Sequence, residues 1–382
     1  MNLPGPKILW LTTWYPNRYD QVGGIFVQEH VKAAVAAGAE IHVMAFHLIR
    51  DHHLFFVEQE KYSEGNRLQV TIWHIHSRFH DLVYHFPRVW FNRLKREWKK
   101  TSAWTRFDLI HAQVIHGAGL NAYRLSRQLG IPFILTEHSS KARTFLEKGM
   151  HKWEAKRVLD QAAAITVVSP FLASQIQSFV REKDKLIIIP NVVNNVYRFN
   201  GAPLPKDKWI FSAVATWQKP KRPDLLIASL HQVAENADRP VELQVIGDGP
   251  LLTIMREMNQ TGKLKVNFLG RKTKAEIHEI FNQSHFFLHA SDYETFSVVV
   301  AEALCNGLPC LVSNTGALPS FIQEENGVVC DNDLNEWVAG INKLIAGNFN
   351  RSKISMDATA RFNPNTIGNQ LVSLYQSILS RK

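Results

Sequence analysis

His285-Phe286-Phe287-Leu288-His289-Ala290 is an apolar run of strand length, and Ser291-Asp292-Tyr293-Glu294-Thr295-Phe296-Ser297 after it is polar enough for a loop. Residues 298–306 then favour a helix, which Gly307 and Pro309 stop, and residues 310–313 follow at once as a second strand. Strand, loop, helix and strand in this order make one unit of a parallel sheet. The loop at the carboxyl end of the first strand and the free amides of the helix N-terminus together form an anion site. A diphosphate fits there.

Two acids flank that site. Glu294 lies before the helix and Glu302 inside it, with seven residues between them. With the helix starting near Phe296, a rise of about 1.5 Å per residue places Glu302 roughly 9 Å along the axis. Carboxylates do not bind phosphates, but they accept hydrogen bonds from hydroxyls. The pair therefore suits hydroxyls at the two ends of a sugar-diphosphate-ribose and points to a nucleotide-sugar rather than a bare nucleotide. A solvated helix with Glu302 at the surface is the alternative.

Glu294-Thr295-Phe296-Ser297, Glu302-Ala303-Leu304 and Gly307-Leu308-Pro309 together resemble the donor signature of glycosyltransferase family 4. The resemblance implies a retaining enzyme of the α/β class with the GT-B fold. That fold has two Rossmann-like domains facing across a cleft and a C-terminal helix crossing back to the first domain.

The composition agrees with such a protein. At 382 residues the chain has room for two domains, and 45% hydrophobic with 20% charged residues is the balance of a soluble globular protein. No run of eighteen apolar residues exists, and residues 1–6 lack a basic-then-apolar signal pattern, so the chain is expected to stay in the cytoplasm. Cys305, Cys310 and Cys330 are too few for a disulfide framework and read as buried thiols in a reducing compartment. A formal charge of +10 favours an anionic partner: nucleic acid, a phospholipid surface or a phosphorylated substrate.

The first half alternates strand and helix signals, with strands expected at 7–13, 40–46, 69–76, 108–115, 132–137, 164–168 and 185–190. A helix over 25–37 follows Gly23-Gly24, where glycines let the backbone approach a ligand and turn free amides towards an anion. Preceded by Trp14-Tyr15-Pro16, this opening resembles the family's glycine-rich loop; a tight turn without a ligand is the alternative. Gly-x-Gly-x-x-Gly is absent, which argues against a nicotinamide or flavin enzyme, and no cofactor is expected.

His74 and His76 share one strand face, and His111, His116 and His138 lie near strand ends. No compact Cys/His spacing marks a zinc site, so no metal is expected. His138 resembles the family position where a histidine faces the donor sugar. Between 78 and 106, Arg88, Arg93, Lys95, Arg96, Lys99, Lys100 and Arg106 alternate with Phe86, Trp90, Phe91, Trp98 and Trp104. This composition suits either an amphipathic helix at the anionic inner face of a membrane or a solvated basic helix packed on the sheet. No nucleic-acid motif accompanies it, and nucleic acid is not expected as a partner.

Ile189-Pro190-Asn191 resembles the family's linker, although Val192 and Asn194 stand where Gly and Asp are usual, and 201–205 reads as a hinge. The domains are expected at 1–195 for the acceptor and 206–361 for the nucleotide-sugar, with a closing helix in 362–382. Strands in the second half are expected at 209–215, 241–246, 265–269, 285–290, 310–313 and 328–330.

After the first of these strands the family carries an arginine where this chain has Thr216. Lys221 keeps its register, and Arg222 or Lys219 can supply the second cation. Gly247-Asp248-Gly249-Pro250, Phe268-Leu269-Gly270 and Thr315-Gly316-Ala317 match further landmarks, and the second of them puts Arg271 beside the nucleotide base.

The implied reaction moves a sugar from a nucleotide-sugar to a glycan or lipid-linked acceptor, with retention and without metal. Lys221 and the amides of Thr295, Phe296 and Ser297 stabilise the leaving diphosphate, Glu294 positions the sugar, Glu302 takes the ribose and His138 steadies the sugar. A catalytically weak nucleotide-sugar-binding protein of the same fold is the alternative, supported by Thr216.

Overall fold

The computed structural model describes residues 5–86, 91, 92, 95, 107–148, 150–259 and 262–381. Of the basic aromatic stretch, Arg88, Trp90, Arg93, Arg96, Trp98, Lys99, Lys100, Trp104 and Arg106 lie outside the described residues. The chain divides into two compact units. One runs to Val192 and takes in the chain again from Pro364, and the other is Val193–Asn363.

The first unit is built on eight strands: β1 (Lys7–Thr12), β2 (Glu40–Ile49), β3 (Phe56–Glu64), β4 (Leu68–His76), β5 (Leu109–Gln113), β6 (Phe133–Glu137), β7 (Ala164–Val167) and β8 (Leu186–Ile188). They lie in the order β3-β4-β2-β1-β5-β6-β7-β8, with Trp10 opposite Val43 on one side and His111 on the other. Helices cover the central strands, so β1, β5 and β6 are buried along almost their whole length and carry near-continuous apolar runs. The edge strand β3 is antiparallel to β4 and half exposed. Its sequence, Phe-Val-Glu-Gln-Glu-Lys-Tyr-Ser-Glu, is polar on both faces, which is why no apolar pattern announces it.

The second unit has a wholly parallel sheet of β9 (Trp209–Thr216), β10 (Val241–Asp248), β11 (Lys265–Gly270), β12 (Phe286–His289), β13 (Cys310–Ser313) and β14 (Gly327–Cys330). Their order is β11-β10-β9-β12-β13-β14. In each sheet the strand order reverses beside the unit's first strand, at β1/β5 and at β9/β12. Loops leaving such a pair diverge, and the crevice between them is where open α/β sheets bind ligands.

Two expectations are corrected here. The helix in the 285–313 region is Val298–Cys305 and does not start near Phe296, so Glu302 stands only about 6 Å along its axis. The backbone of Ser297, at φ 71°, lies outside the helical region and delays the start. The change of unit falls at Val192/Val193 and not at 201–205, which lies inside the second unit, where His285 Nε2 donates to the Pro205 carbonyl (3.0 Å). A helix at Arg351–Phe362, which buries Ile354, Ala358 and Phe362, precedes the closing helix.

Pro364 opens that closing helix, Pro364–Leu379, at a position where a missing N–H costs nothing. Its Ile367, Leu371, Val372, Tyr375 and Ile378 join Val27, Val31, Trp10 and Val43 in the core of the first unit. All three cysteines are free and buried, and burial raises the Cys305 thiol to about 12 and that of Cys330 to about 11. Among the described residues no helix is long and apolar enough to cross a membrane.

Tyr375 also brings a hydroxyl into this core, 2.8 Å from His111 Nδ1, and both side chains are fully buried. Tyr375→Phe keeps the ring and strands the imidazole nitrogen, a loss of about 1–3 kcal/mol. Urea unfolding should register it as a lower midpoint with an unchanged slope, and an unchanged midpoint would show the bond to be without consequence.

Candidate active site

At the β9/β12 crevice two loops are stitched together. The Arg222 amide donates to the Ala290 carbonyl (3.1 Å), the Asp292 amide donates to that of Pro220 (2.9 Å), and Lys221 and Ser291 form an isolated antiparallel bridge. This stitching brings Lys221 Nζ into an ion pair with Glu294 Oε1. His289 Nε2, at the end of β12, lies 3.0 Å from the same oxygen, 3.2 Å from Lys221 Nζ and 3.3 Å from the Ser297 hydroxyl. Facing a carboxylate, Nε2 carries the proton and donates it.

Burial pushes the Glu294 carboxyl up, but His289 and Lys221 more than offset this and hold it at about 2, below its ordinary 4.5. Burial and then Lys221 push His289 down, so its imidazole is neutral at pH 7. The contribution of the ion pair to stability is therefore complete above pH 4.5 and disappears as the pH falls through about 2.

The backbone of Glu294 is clamped as well. A Cβ on Gly316 would sit 2.1 Å from the Glu294 carbonyl oxygen, which accepts the Ala317 amide at 2.9 Å. The Thr315-Gly316-Ala317 turn can make this approach only with glycine in the middle. Phe296 is buried against Phe321 and Phe362, with ring centroids 4.9 and 5.8 Å away, so only its main chain can meet a ligand. Thr295 is half-buried beside it. Ser297 holds a left-handed conformation that costs of order 1–3 kcal/mol and forms the joint between loop and helix. Glu302, one turn into the helix, is buried.

The remaining cations are less committed. Arg222 grips Asp224 through Nε and Nη2 (2.8–3.1 Å) and reaches Asp292 at 3.3 Å. Exposed pairs of this kind are worth about 0.2–1 kcal/mol, so exchanging a carboxylate for a phosphate is cheap. Arg271 is largely exposed, 3.6 Å from Asp248 Oδ2, and Thr216 ends β9 with its side chain in solvent.

In the first unit, Gly24 (φ 80°) begins the helix Ile25–Ala36, and a Cβ there would lie 2.4 Å from the Trp14 carbonyl carbon. The amide of Gly23 is not free for an anion, because it donates to Asp20 Oδ1 at 2.8 Å beside the Val22 amide at 3.1 Å. The Gly23 amide is therefore not one of the free amides expected to face an anion there. Glu137 orders the turn that carries His138: Oε1 accepts the amides of His138 (2.9 Å) and Ser139 (2.7 Å), and Oε2 accepts that of Ile115 (2.9 Å). Burial pushes the Glu137 carboxyl up, to about 7, against the pull of these amides.

His138 Nε2 is 2.7 Å from the Gln113 carbonyl oxygen, and the Gln113 amide nitrogen is 3.1 Å from His111 Nε2. With Gln113 so oriented, His138 carries its proton on Nε2. Its Nδ1 is left as a buried acceptor with no partner among the described residues. His289, Gln113 and Glu137 escape a motif-based reading. The available signal is their position, since each is the last residue of a parallel strand, where side chains emerge at the ligand end.

Two parallel-sheet α/β units of this kind define the GT-B class of glycosyltransferase folds. A model described as "Glycosyltransferase Family 4" matches residues 23–196, and one described as "Glycosyl transferases group 1" matches residues 198–361. The chain belongs to glycosyltransferase family 4. It is 26% identical over 237 residues to an uncharacterized glycosyltransferase of Methanocaldococcus jannaschii, covering 60% of this chain and 64% of that one. It is 21% identical over 239 residues to the N-acetyl-alpha-D-glucosaminyl L-malate synthase of Bacillus anthracis, covering 59% and 61%. The matched region thus spans about six-tenths of these relatives' own length. In fold it is similar to sucrose-phosphate synthase from Thermosynechococcus elongatus (TM-score 0.77, 19% identity, 98% and 100% of the chains covered). It is likewise similar to Anabaena HepE in complex with UDP (TM-score 0.70, 17% identity, 97% and 100% covered).

Lys221→Met should leave the Glu294 carboxylate buried with only the neutral His289 as a partner and cost about 3–5 kcal/mol. The double variant Lys221→Met/Glu294→Gln should recover a large part of that loss. The coupling should be as strong at pH 5 as at pH 8, because both lie above the titration of Glu294. Additive effects in a double-mutant cycle of urea midpoints would deny the pair its role.

Proposed function

We propose that this glycosyltransferase uses a nucleotide-sugar donor, transfers the sugar with retention to a glycan or lipid-linked acceptor, and does so without a metal at the donor diphosphate. The Lys221–Glu294–His289 cluster at the β9/β12 crevice carries this reading. The bonds to the Glu294 carboxylate from described residues all end on Oε1, which leaves Oε2 for a sugar hydroxyl. The ammonium of Lys221 has three donors, and those not spent on Glu294 can meet the diphosphate. The first-turn amides of the helix Val298–Cys305, which have no intrahelical carbonyl to bond, add to this stabilisation as charge builds on the leaving group.

Glu302 is assigned to the ribose, Arg271 to the base and Arg222 to the diphosphate once its carboxylate partners are exchanged. Gly23 and Gly24 remain donor-side candidates by resemblance. The acceptor Nδ1 of His138 supports its assignment to a hydroxyl of the donor sugar. Solved neighbours in complex with UDP and with UDP-glucose make uridine nucleotides the first donors to test.

A second reading, a nucleotide-sugar-binding protein that transfers slowly or not at all, is favoured by Thr216 in place of the family's arginine and by the carboxylates already paired with Arg222. Attachment to an anionic membrane is proposed as well. Phe79, Leu82, Tyr84, Phe86, Met150 and Trp153 expose large apolar surfaces, and the basic stretch follows directly after Phe86 in sequence.

A panel of nucleotide-sugars screened by thermal shift identifies the donor, and Glu302→Ala should then weaken it roughly ten- to a hundredfold with the fold intact. Donor affinity in chelator should equal that in manganese, and proton NMR of the product should show the donor's anomeric configuration. An inverted product, or an affinity indifferent to Glu302, is incompatible with the proposed mechanism. On acidic vesicles at low salt the protein should sediment, and replacing Arg93, Lys95, Lys99 and Lys100 by glutamine should release it. Failure of the unmutated protein to sediment would remove the membrane from the account.

A further inference from the structure

The first unit holds a second group of converging side chains, sharing no residue with the cluster around Lys221. Asp51 and His53 lie in the turn after β2, His76 is the last residue of β4, and Glu58 faces them from β3. Ile49 and Phe56 are both register partners of His76, so the ends of three adjacent strands bring these residues together. We infer that Asp51 Oδ2, His53 Nδ1 and His76 Nδ1 form a binding site for one divalent transition-metal ion of the zinc class.

The three ligand atoms lie within 4.8 Å of one another, with Asp51 Oδ2 2.6 Å from His76 Nδ1 and 3.0 Å from His53 Nδ1. In a tetrahedral zinc site with bonds of about 2.0–2.1 Å, neighbouring ligand atoms stand roughly 3.3 Å apart, so small side-chain rotations open the group to that size. Two imidazoles and one carboxylate suit zinc, cobalt or nickel and not calcium or magnesium, which take oxygen ligands. Asp51 and His53 are partly exposed, which leaves a fourth position to water.

The surroundings are those of a built site. The His53 amide donates to Asp51 Oδ1 at 2.9 Å, which turns the other carboxylate oxygen towards the two rings. His53 Nδ1 is buried and makes no hydrogen bond of good geometry among the described residues, although Asp51 Oδ2 is 3.0 Å away. The second nitrogen of His76 is backed by Glu58 Oε1 at 3.0 Å, and Glu58 is itself held by the Tyr19 hydroxyl (2.7 Å) and by Arg18. A carboxylate behind a ligating histidine fixes the ring and raises its basicity, an arrangement that recurs behind metal-bound histidines. A bound ion would tie the turn after β2 to the ends of β3 and β4.

The test uses the full chain, stripped of metal and titrated with zinc by calorimetry and with cobalt(II) by visible absorption. The wild type should bind one equivalent that Asp51→Asn and His53→Gln lose, and should show the intense bands of four-coordinate cobalt. Asp51→Asn keeps an oxygen for the His53 amide, so the turn is retained. Glu58→Gln, which leaves all three ligand side chains in place, should weaken binding roughly ten- to a hundredfold without changing the stoichiometry. Zinc should also raise the melting temperature of the wild type and not that of Asp51→Asn. Equal stoichiometry and affinity in the wild type and all three variants would place zinc on other surface histidines and overturn the inference, as would the weak bands of six-coordinate cobalt. None of these readouts depends on sugar transfer, so they stand or fall apart from the donor-site proposal.

Discussion

An ammonium and a carboxylate removed from water together must each find a partner, and the second unit is arranged around this requirement at Lys221 and Glu294. Desolvation alone would protonate Glu294, yet its carboxyl is held far below the ordinary value because Lys221 and His289 converge on one oxygen. That convergence demands that two loops from different strands be fixed to within a few tenths of an ångström. The Arg222 and Asp292 amides fix the loops to each other, Gly316 and Ala317 fix the Glu294 backbone, and Phe296 anchors the next turn among Phe321 and Phe362. A buried ion pair is a weak source of stability compared with an apolar core. Its retention here fits a cluster kept for polar recognition.

The first unit meets the same constraint differently. Glu137 has no cation beside it among the described residues and is satisfied by three backbone amides, and the turn it organises presents His138. Behind His138, Gln113 and His111 carry the polar contacts inward to Tyr375 on the closing helix. The last helix is therefore part of both the apolar core and the polar interior of the unit that the chain left at Val192. A residue near the C-terminus thus bears on the orientation of a side chain near position 138, through buried groups that have no water to turn to.

Positive charge is plentiful in the chain, but at the β9/β12 crevice both Lys221 and Arg222 already have carboxylates. Lys221 has Glu294, and Arg222 has Asp224 and Asp292. The two differ in how readily they can be recruited. The pair around Lys221 is mostly buried and rigid, whereas the pairs around Arg222 are more exposed and worth little, so an incoming phosphate competes with them on easy terms. Net charge says nothing of this difference, which belongs to burial.

The sequence by itself determined most of the strands and the family to which the chain belongs. Short apolar runs mark β9, β12 and β13, because a strand buried on both faces reads as a continuous apolar stretch, and Gly307 and Pro309 mark the end of the helix between the last two. Glu294, Glu302 and Lys221 stand at recognisable offsets from those runs. Tertiary structure alone decided the rest. It showed that Lys221 and Glu294 are partners, that His289 joins them, that Phe296 is an anchor and offers only its main chain, that Asp20 takes the amide of Gly23, and that β3 covers an edge with no apolar pattern of its own. It also brought Asp51, His53 and His76 together across three strands. The reason is physical: periodicity and turn chemistry act over a few residues, whereas a buried polar group chooses its partner from whatever the strand order brings near, and for Lys221 and Glu294 that partner lies 73 residues away.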